Sequence, residues 1–125
     1  MLANNEAMAT IAVRDLAVAR DFYAGKLGLR VASENEEAIT YESGSSKVVV
    51  YRSQFAGSNK ATSATWMIGG DLRKLVESLK TKGIAFEHYD MPMLKLEGDV
   101  HVADGMSVAW LKDPDGNILS LFQLT

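Results

Sequence analysis

Hydrophobic and polar residues alternate in short runs along most of the chain, and two longer stretches repeat at the helical period instead. In the second of these stretches Leu72, Leu75, Val76 and Leu79 fall at i, i+3, i+4 and i+7, which predicts one apolar stripe along a helix. A looser stripe occupies the first stretch, at Leu16, Ala19, Phe22 and Tyr23. The short alternating runs predict strands, so the pattern indicates a mixed α+β chain.

The two helical stretches belong to a sequence repeat. Asp15-Leu16 and Asp71-Leu72 match at an offset of 56 residues, and each Asp is predicted to cap the helix that follows it. Gly28 and Gly83 stand where a left-handed residue would end each helix. Three strands are predicted after each helix, at Leu29–Ser33, Ala38–Tyr41 and Lys47–Tyr51, and at Ile84–Tyr89, Met106–Leu111 and Ile118–Leu124. The chain therefore reads β-α-β-β-β twice.

These boundaries divide one domain, residues 1–125, into two modules. Module one covers about 7–53, the linker about 54–63, and module two about 64–125. Residues Asp113–Asn117 contain Pro and Gly in the order of a tight turn. Met91–Asp104 is predicted as a loop, and its length is typical of binding or gating segments.

Composition excludes several classes of function. The 125 residues include no cysteine, which excludes disulfides, a thiolate nucleophile and a cysteine-ligated metal. The net charge is −3 and no basic cluster occurs, so we expect no nucleic-acid partner. No aliphatic run approaches the roughly 20 residues needed to span a bilayer, and the first residues do not resemble a secretory signal. A cytoplasmic protein without a membrane partner is the expectation.

Three segments carry a resemblance to a known family. They are Val13-Arg14-Asp15-Leu16, Asp21-Phe22-Tyr23 followed by Leu27-Gly28-Leu29, and Lys112-Asp113-Pro114-Asp115-Gly116-Asn117. With the paired modules, they resemble the vicinal oxygen chelate superfamily of glyoxalase I, bleomycin-resistance proteins, fosfomycin-resistance enzymes and extradiol dioxygenases, from about Ala7 to the end. The resemblance implies two tandem βαβββ modules whose mixed sheets curl into a half-open cup with helices outside, and a homodimer.

The resemblance also implies a divalent metal held by His and Glu side chains inside the cup. The matching positions in this chain are Met8, Ala64, Ser120 and either Val50 or Tyr51. None of them offers a carboxylate or an imidazole, the groups that divalent cations prefer. We therefore expect no metal at the usual place and no other cofactor.

The two histidines of the chain could act as relocated metal ligands or as acid–base residues. His88 and Asp90 are two residues apart and would share a face of an extended segment, and His101 follows the acidic residue Asp99 at the same spacing. His101, His88 and Asp90 are thus the candidate catalytic residues. The alternative is that both histidines are solvated or make one ordinary hydrogen bond.

Strand alternation predicts an apolar and aromatic lining for the cup. If Met8 points inward then Thr10 does too, Ala64 brings Trp66, and Ser120 brings Phe122. The predicted ligand-binding residues are Met8, Thr10, Tyr51, Trp66, Trp110, Ser120, Phe122 and His101. Alternatively, the tryptophans fill the core of a small domain.

Three functions follow from these observations. The first is metal-independent binding, by sequestration, of a small aromatic or amphipathic molecule, as in the bleomycin-resistance branch. The second is a lyase- or dioxygenase-type enzyme acting on a small oxygenated substrate. The third is a protein-interaction module whose cup is filled.

Overall fold

The computed structural model describes residues 1–125, and its strands form two separate mixed sheets, one from each module. The strands are β1 (Ala9–Val13), β2 (Arg30–Glu34), β3 (Ala38–Ser43), β4 (Ser46–Arg52), β5 (Thr62–Met67), β6 (Phe86–Glu87), β7 (Lys95–Glu97), β8 (Val100–Ala103), β9 (Met106–Lys112) and β10 (Ile118–Leu124). The helices are α1 (Leu16–Arg20), which continues into a π-helical turn (Asp21–Lys26), and α2 (Leu72–Thr81); a short 3-10 turn covers Leu2–Asn4. The predicted α+β class is confirmed.

The two sheets have related topologies. In module one the strand order is β1-β4-β3-β2, with β1 parallel to β4. In module two the order is β5-β10-β9-β8-β7, with β5 parallel to β10 and β6 paired to another part of β9. Strand β1 lies against β5, so the sheets meet along this seam and curl into an open cup rather than a closed barrel.

The two helices begin at the predicted aspartate caps and end at the predicted glycines. The Asp15 carboxylate accepts hydrogen bonds from the backbone N–H groups of Ala17 and Val18, and the Asp71 carboxylate accepts one from Lys74. These bonds satisfy donors that the first turn of a helix leaves unpaired. Gly28 and Gly83 adopt φ values of 78° and 87°, the left-handed conformation that ends each helix.

The first helix widens where two adjacent aromatic side chains enter the core. Phe22 and Tyr23 are 5% and 0% exposed, although neighbours on an α-helix point about 100° apart. The Leu27 N–H bonds to the carbonyl of Phe22, five residues earlier, as in a π-helix. The rings of Phe22 and Tyr23 meet edge to face at 5.0 Å, and Tyr23 lies 6.0 Å from Tyr41.

The prediction of a structureless loop over Met91–Asp104 is wrong. This segment contains the hairpin of β7 and β8, which extends the sheet beyond β9. The pairing places Leu96 opposite His101, with the turn at Gly98-Asp99. The charged residues that interrupt the apolar positions hid the strands from a pattern of alternation. Conversely, of the predicted strand Ile84–Tyr89 only Phe86–Glu87 pairs with a neighbour.

The main core lies between the sheets and the helices. It draws alternate residues from each central strand, and the buried stripe of α2 packs against β10. Its strand members include Ile11, Val13, Ile39, Tyr41, Val48, Val50, Ala109, Leu111, Leu119 and Leu121. Because side chains alternate across a strand, the intervening residues occupy the opposite, concave side of each sheet, which we call the cup face.

A buried carboxylate joins the two modules. Asp113, 5% exposed, accepts the hydroxyl proton of Tyr23 at 2.7 Å and the side-chain N–H of Asn117 at 2.8 Å. The same amide of Asn117 donates to the carbonyl of Ala12 at 2.7 Å. The turn after β9 is therefore tied to both β1 and the first helix. Burial, reinforced by the nearby Asp113 carboxylate, raises the pKa of Tyr23 far above its ordinary value, so the phenol stays a proton donor.

The linker also presses against this turn. Gly57 has a φ of +73°, and a Cβ atom at this position would lie 2.0 Å from the carbonyl oxygen of Asp115. The Asp115 carboxylate accepts the backbone N–H of Arg14 at 3.3 Å, and the Arg14 guanidinium donates to the carbonyl of Ala56. Only glycine therefore fits where the linker crosses the turn.

We expect Tyr23→Phe to lower the free energy of unfolding by about 1–3 kcal/mol, because Asp113 loses a buried hydrogen-bond donor. Asp113→Ala should cost about 3 kcal/mol or more, since several buried donors then lose their acceptor. Urea denaturation measures both losses. The control is Tyr51→Phe, at a tyrosine that is 39% exposed, where a change within about 0.5 kcal/mol is expected. Equal losses at Tyr23 and Tyr51 would contradict the role of the network.

Candidate functional site

The cup face combines apolar side chains with a few hydroxyl groups. Strand register identifies its members, because paired residues share a face: Thr10 pairs with Val49, and Ser120 pairs with both Thr65 and Trp110. The central members are Thr10, Ala12, Val49 and Tyr51 in module one, and Thr65, Met67, His101, Val108, Trp110, Ser120 and Phe122 in module two. Met8 precedes β1 and falls on the same side by alternation.

The expectation that Ala64 and Trp66 face the cup is wrong. Trp66 pairs with Leu121 and Ala64 pairs with Leu119, and both leucines belong to the core on the helix side. The cause is one additional residue between β5 and its helix cap: Gly69-Gly70 stands where module one has only Arg14. The strands of the two modules therefore correspond at an offset of 55 residues, whereas the helix caps correspond at 56. Aligning β5 by the caps reversed the predicted face of every side chain in it.

This shift shows which cup residues the sequence reasoning missed. Thr65 occupies the cup position that was assigned to Trp66, and Met67 lies on the same face two residues further along β5. The sequence contains a signal for the correct register. If one extra glycine is allowed before Asp71, the core residues Ile11 and Val13 match the apolar residues Trp66 and Ile68. On β4 the two open alternatives are also resolved: Val50 is buried in the core, whereas Tyr51 is 39% exposed on the cup face.

Paired hydroxyl groups occupy the Ser120 position, one of those where the superfamily resemblance implies a His or Glu ligand. The Oγ atom of Ser120 lies 2.6 Å from Oγ1 of Thr65, so each hydroxyl satisfies the other. Across β1, β4, β5 and β10 the cup positions carry thioether, hydroxyl, aliphatic, aromatic and lysine side chains, with no carboxylate or imidazole. Nowhere in the chain do three His, Cys, Asp or Glu side chains stand close enough to hold a metal. These donors do not fit a divalent cation.

Three rings form an aromatic cluster on the cup face of module two, the Trp110 cluster of Tyr89, His101 and Trp110. Trp110 meets His101 edge to face at 4.9 Å and Tyr89 at 5.3 Å. Burial raises the pKa of Tyr89, with the carboxylate of Glu87 acting in the same direction. Phe122 lies on the same face, two residues beyond Ser120, the residue of β10 that pairs with Trp110.

His101 holds the segment that follows β6 in place. Its ring is 0% exposed, and its Nε2 atom accepts the backbone N–H of Tyr89 at 3.0 Å. A neutral imidazole that accepts at Nε2 carries its proton on Nδ1, and this Nδ1 atom is buried without a partner. With one nitrogen engaged and the other protonated, His101 has no free lone pair for a general base.

His88 belongs to a separate, partly exposed ion-pair group. Its Nε2 atom lies 2.8 Å from Oδ1 of Asp99, while Lys80 of α2 donates to Oδ2 of the same carboxylate at 2.7 Å. The hydrogen bond from Lys80 and that from His88 lower the pKa of Asp99, and Asp99 in turn raises the pKa of Lys80. His88 and Asp90 line a hollow of about 270 Å³ with Tyr89, Leu94 and Leu96. The candidate catalytic residues are thus divided between a buried and an exposed environment.

The comparison with known families agrees with this architecture. The profile of the Glyoxalase/Bleomycin resistance protein/Dioxygenase superfamily matches residues 7–121. The chain belongs to this superfamily. The match covers both modules, from just before β1 to the middle of β10. No curated protein is similar enough in sequence to match.

Solved structures of the superfamily share the fold at low sequence identity. A glyoxalase/bleomycin resistance protein/dioxygenase from Alicyclobacillus acidocaldarius is 23% identical, with a TM-score of 0.73 over 97% of this chain and 92% of that one. A glyoxalase family protein from Enterococcus faecalis is 20% identical, with a TM-score of 0.74 over 98% and 99% of the two chains. A lactoylglutathione lyase from Agrobacterium tumefaciens is 13% identical, with a TM-score of 0.71 over 94% and 92%. These similarities establish the fold.

None of the helices has both the length and the apolar content to cross a membrane.

Acid should weaken the contacts of Asp99. A carboxylate with a lowered pKa contributes stability above its ordinary pKa and loses that contribution as the pH falls through the lowered value. We therefore expect Asp99→Asn to destabilise the protein near pH 7, with the difference from wild type shrinking below about pH 4. Urea denaturation across this range measures the difference. Asp104→Asn, at an exposed carboxylate outside the ion pairs, is the control; an Asp99 effect that did not change with pH would contradict the assignment.

Proposed function

We propose that this chain binds a small aromatic or amphipathic molecule on its cup face without a divalent metal, and acts by sequestration. The observation that carries this proposal is the pairing of Ser120 with Thr65 at a position where the resemblance implies a metal ligand. Mutually satisfied hydroxyls are poor ligands for a cation, but Thr65, exposed beside the buried Ser120, offers an uncharged surface against which an apolar ring can lie.

Exposure of large apolar side chains supports the same proposal. Met8, Met67 and Tyr51 are 52%, 65% and 39% exposed on the cup face, so the chain's own side chains leave this part of it uncovered. The Trp110 cluster and Phe122 add aromatic surface on the module-two side. Methionine adapts its shape and aromatic rings offer flat contact area, a combination that suits ligands of varied outline.

A second copy of the chain is the partner that we propose for the open side of the cup. Continuous exposed apolar surface on a soluble protein is typical of interaction sites. A homodimer would cover part of this surface and enclose the ligand, and sedimentation equilibrium would detect it. The compartment that we propose is the cytoplasm, which is compatible with the absence of cysteine.

An enzyme is the alternative that one observation favours. The hydrogen bond between His88 and Asp99 orients the imidazole, whose Nδ1 atom is then free to accept a proton from a small oxygenated substrate in the adjacent hollow. The other proposed role, a protein-interaction module, would use the exposed cup face itself as its contact surface.

We expect a panel of flat aromatic compounds to include at least one that changes the fluorescence of Trp110 saturably. Trp66→Phe leaves Trp110 as the single tryptophan reporter. Phe122→Ala should weaken the binding about tenfold, because a ring against the ligand contributes about 1–2 kcal/mol. Phe55→Ala is the control, since Phe55 is 70% exposed in the linker and should not affect binding. Absence of saturable binding across the panel would count against sequestration.

Metal analysis separates the binding protein from the enzyme. We expect purified wild-type protein, dialysed against Zn²⁺, Ni²⁺ or Mn²⁺, to retain much less than one equivalent of metal. Elemental analysis of wild type and of His88→Gln measures this retention. A stoichiometric metal lost in His88→Gln would favour relocated ligands and the enzyme; a stoichiometric metal kept in that variant would contradict our account of the cup donors.

A further inference from the structure

Trp66, which faces the helix side of the sheet and not the cup, lines a cavity there. A cavity of about 110 Å³ lies where the two modules meet on the helix side, and we call it the junction cavity. Its lining consists of Leu27, Leu29, Trp66, Ile68, Leu75, Leu79, Leu111, Leu121 and one polar residue, Ser43. Because Trp66 and Leu121 point away from Thr65 and Ser120, a layer of β-sheet separates this cavity from the cup face.

The lining determines what the junction cavity can hold. An ordered buried water needs two to four polar partners, and this wall offers a single hydroxyl. A charged molecule would lose its hydration without gaining a counterion, because no charged side chain lines the wall. Cavities of comparable size with aliphatic walls accept a single aromatic ring. The wall therefore suits an uncharged molecule of one ring.

Ser43 adds one directional contact. Its Oγ atom accepts the indole N–H of Trp66 at 2.8 Å, which fixes the ring of Trp66 as one wall. The hydroxyl still has its own proton to donate, and an acceptor on the ligand would receive it. Ser43 and Trp66 also line a more polar cleft of about 500 Å³ along the seam between β1 and β5, so this hydrogen-bonded pair lies between the junction cavity and that cleft.

We propose that the junction cavity is a second binding site, independent of the cup face, for an uncharged single-ring aromatic molecule that carries one hydrogen-bond acceptor. The ring lies among the leucines and against Trp66, and the acceptor receives the hydroxyl proton of Ser43. The two modules both contribute walls, so the occupied site adds contacts across their junction.

Benzene and phenol are matched probes for this site. In a Trp110→Phe background Trp66 is the single tryptophan, and its fluorescence reports on the cavity wall. We expect both probes to bind saturably, with dissociation constants near 1 mM for ligands of this size. Phenol should bind about fivefold more tightly than benzene, which corresponds to one hydrogen bond. Ser43→Ala should remove this preference while benzene still binds.

Two variants fill the cavity from different modules. Leu29→Phe and Leu75→Phe should each reduce the binding of both probes at least about tenfold, because the added ring takes the ligand's volume. Val18→Phe, at a side chain that is 48% exposed on α1, is the control and should bind like the parent protein. Circular dichroism verifies that each variant is folded, and if one does not fold the other decides.

Methyl NMR spectra locate the probe directly. Binding at the junction cavity should shift the methyl resonances of Leu79, Leu111 and Leu121, and Phe122→Ala on the cup face should leave those shifts unchanged. Saturable binding that persists in a folded filling variant, or an absence of methyl shifts at probe concentrations well above 1 mM, would overturn this proposal. Neither result bears on the cup face, whose own test uses Trp110 and Phe122.

Discussion

The carboxylate of Asp113 is the contact on which the relation between the two modules depends. It accepts four hydrogen bonds, from the side chains of Tyr23 and Asn117 and from the backbone N–H groups of Asp115 and Asn117. Each donor is buried or partly buried, and a buried donor without an acceptor is expensive. Asn117 carries the connection to the carbonyl of Ala12, so a turn of module two fixes the first strand of module one. The cup face and the junction cavity lie on opposite sides of the sheets whose relative position these bonds fix.

The chemistry of the cup is set by which side chains the strand register places on its face. Register places hydroxyl, thioether and aromatic groups on the face where the superfamily resemblance implies imidazole and carboxylate ligands, as the sequence of this chain predicted. The hydroxyl groups of Ser120 and Thr65 form a hydrogen bond with each other, so both are satisfied without a metal or ligand. His101, the remaining imidazole on this face, is committed to the backbone of Tyr89. These groups do not fit a divalent cation, and contact with an apolar ligand is the role that we propose for this face.

Local signals in the sequence predicted most of the fold. The caps at Asp15 and Asp71, the glycines that end the helices and the strands flanking Asp113–Asn117 each arise from the chemistry of a few adjacent residues. The hairpin of β7 and β8 was missed because its strands are short and carry charges, and only pairing with β9 makes them strands. The superfamily was predicted correctly from the motifs, and the profile match confirms it.

The orientation of side chains was harder to predict than the strands themselves. A single extra glycine before Asp71 decides whether Trp66 faces the cup or the core. Interactions between distant residues, such as the bond of His101 to Tyr89 and that of Trp66 to Ser43, leave no trace in a local pattern. The lining of the candidate site therefore required the register that only the folded sheets supply.

The close approach of Gly57 to the carbonyl of Asp115 has a mechanical consequence. At this crossing the linker packs tightly against the turn of module two and is too constrained to act as a hinge. Rigid-body separation of the halves would also break the buried bonds of Tyr23 and Asn117. The ligand that we propose for the junction cavity would therefore enter by rotation of individual side chains, while the backbone on either side of the seam keeps its position.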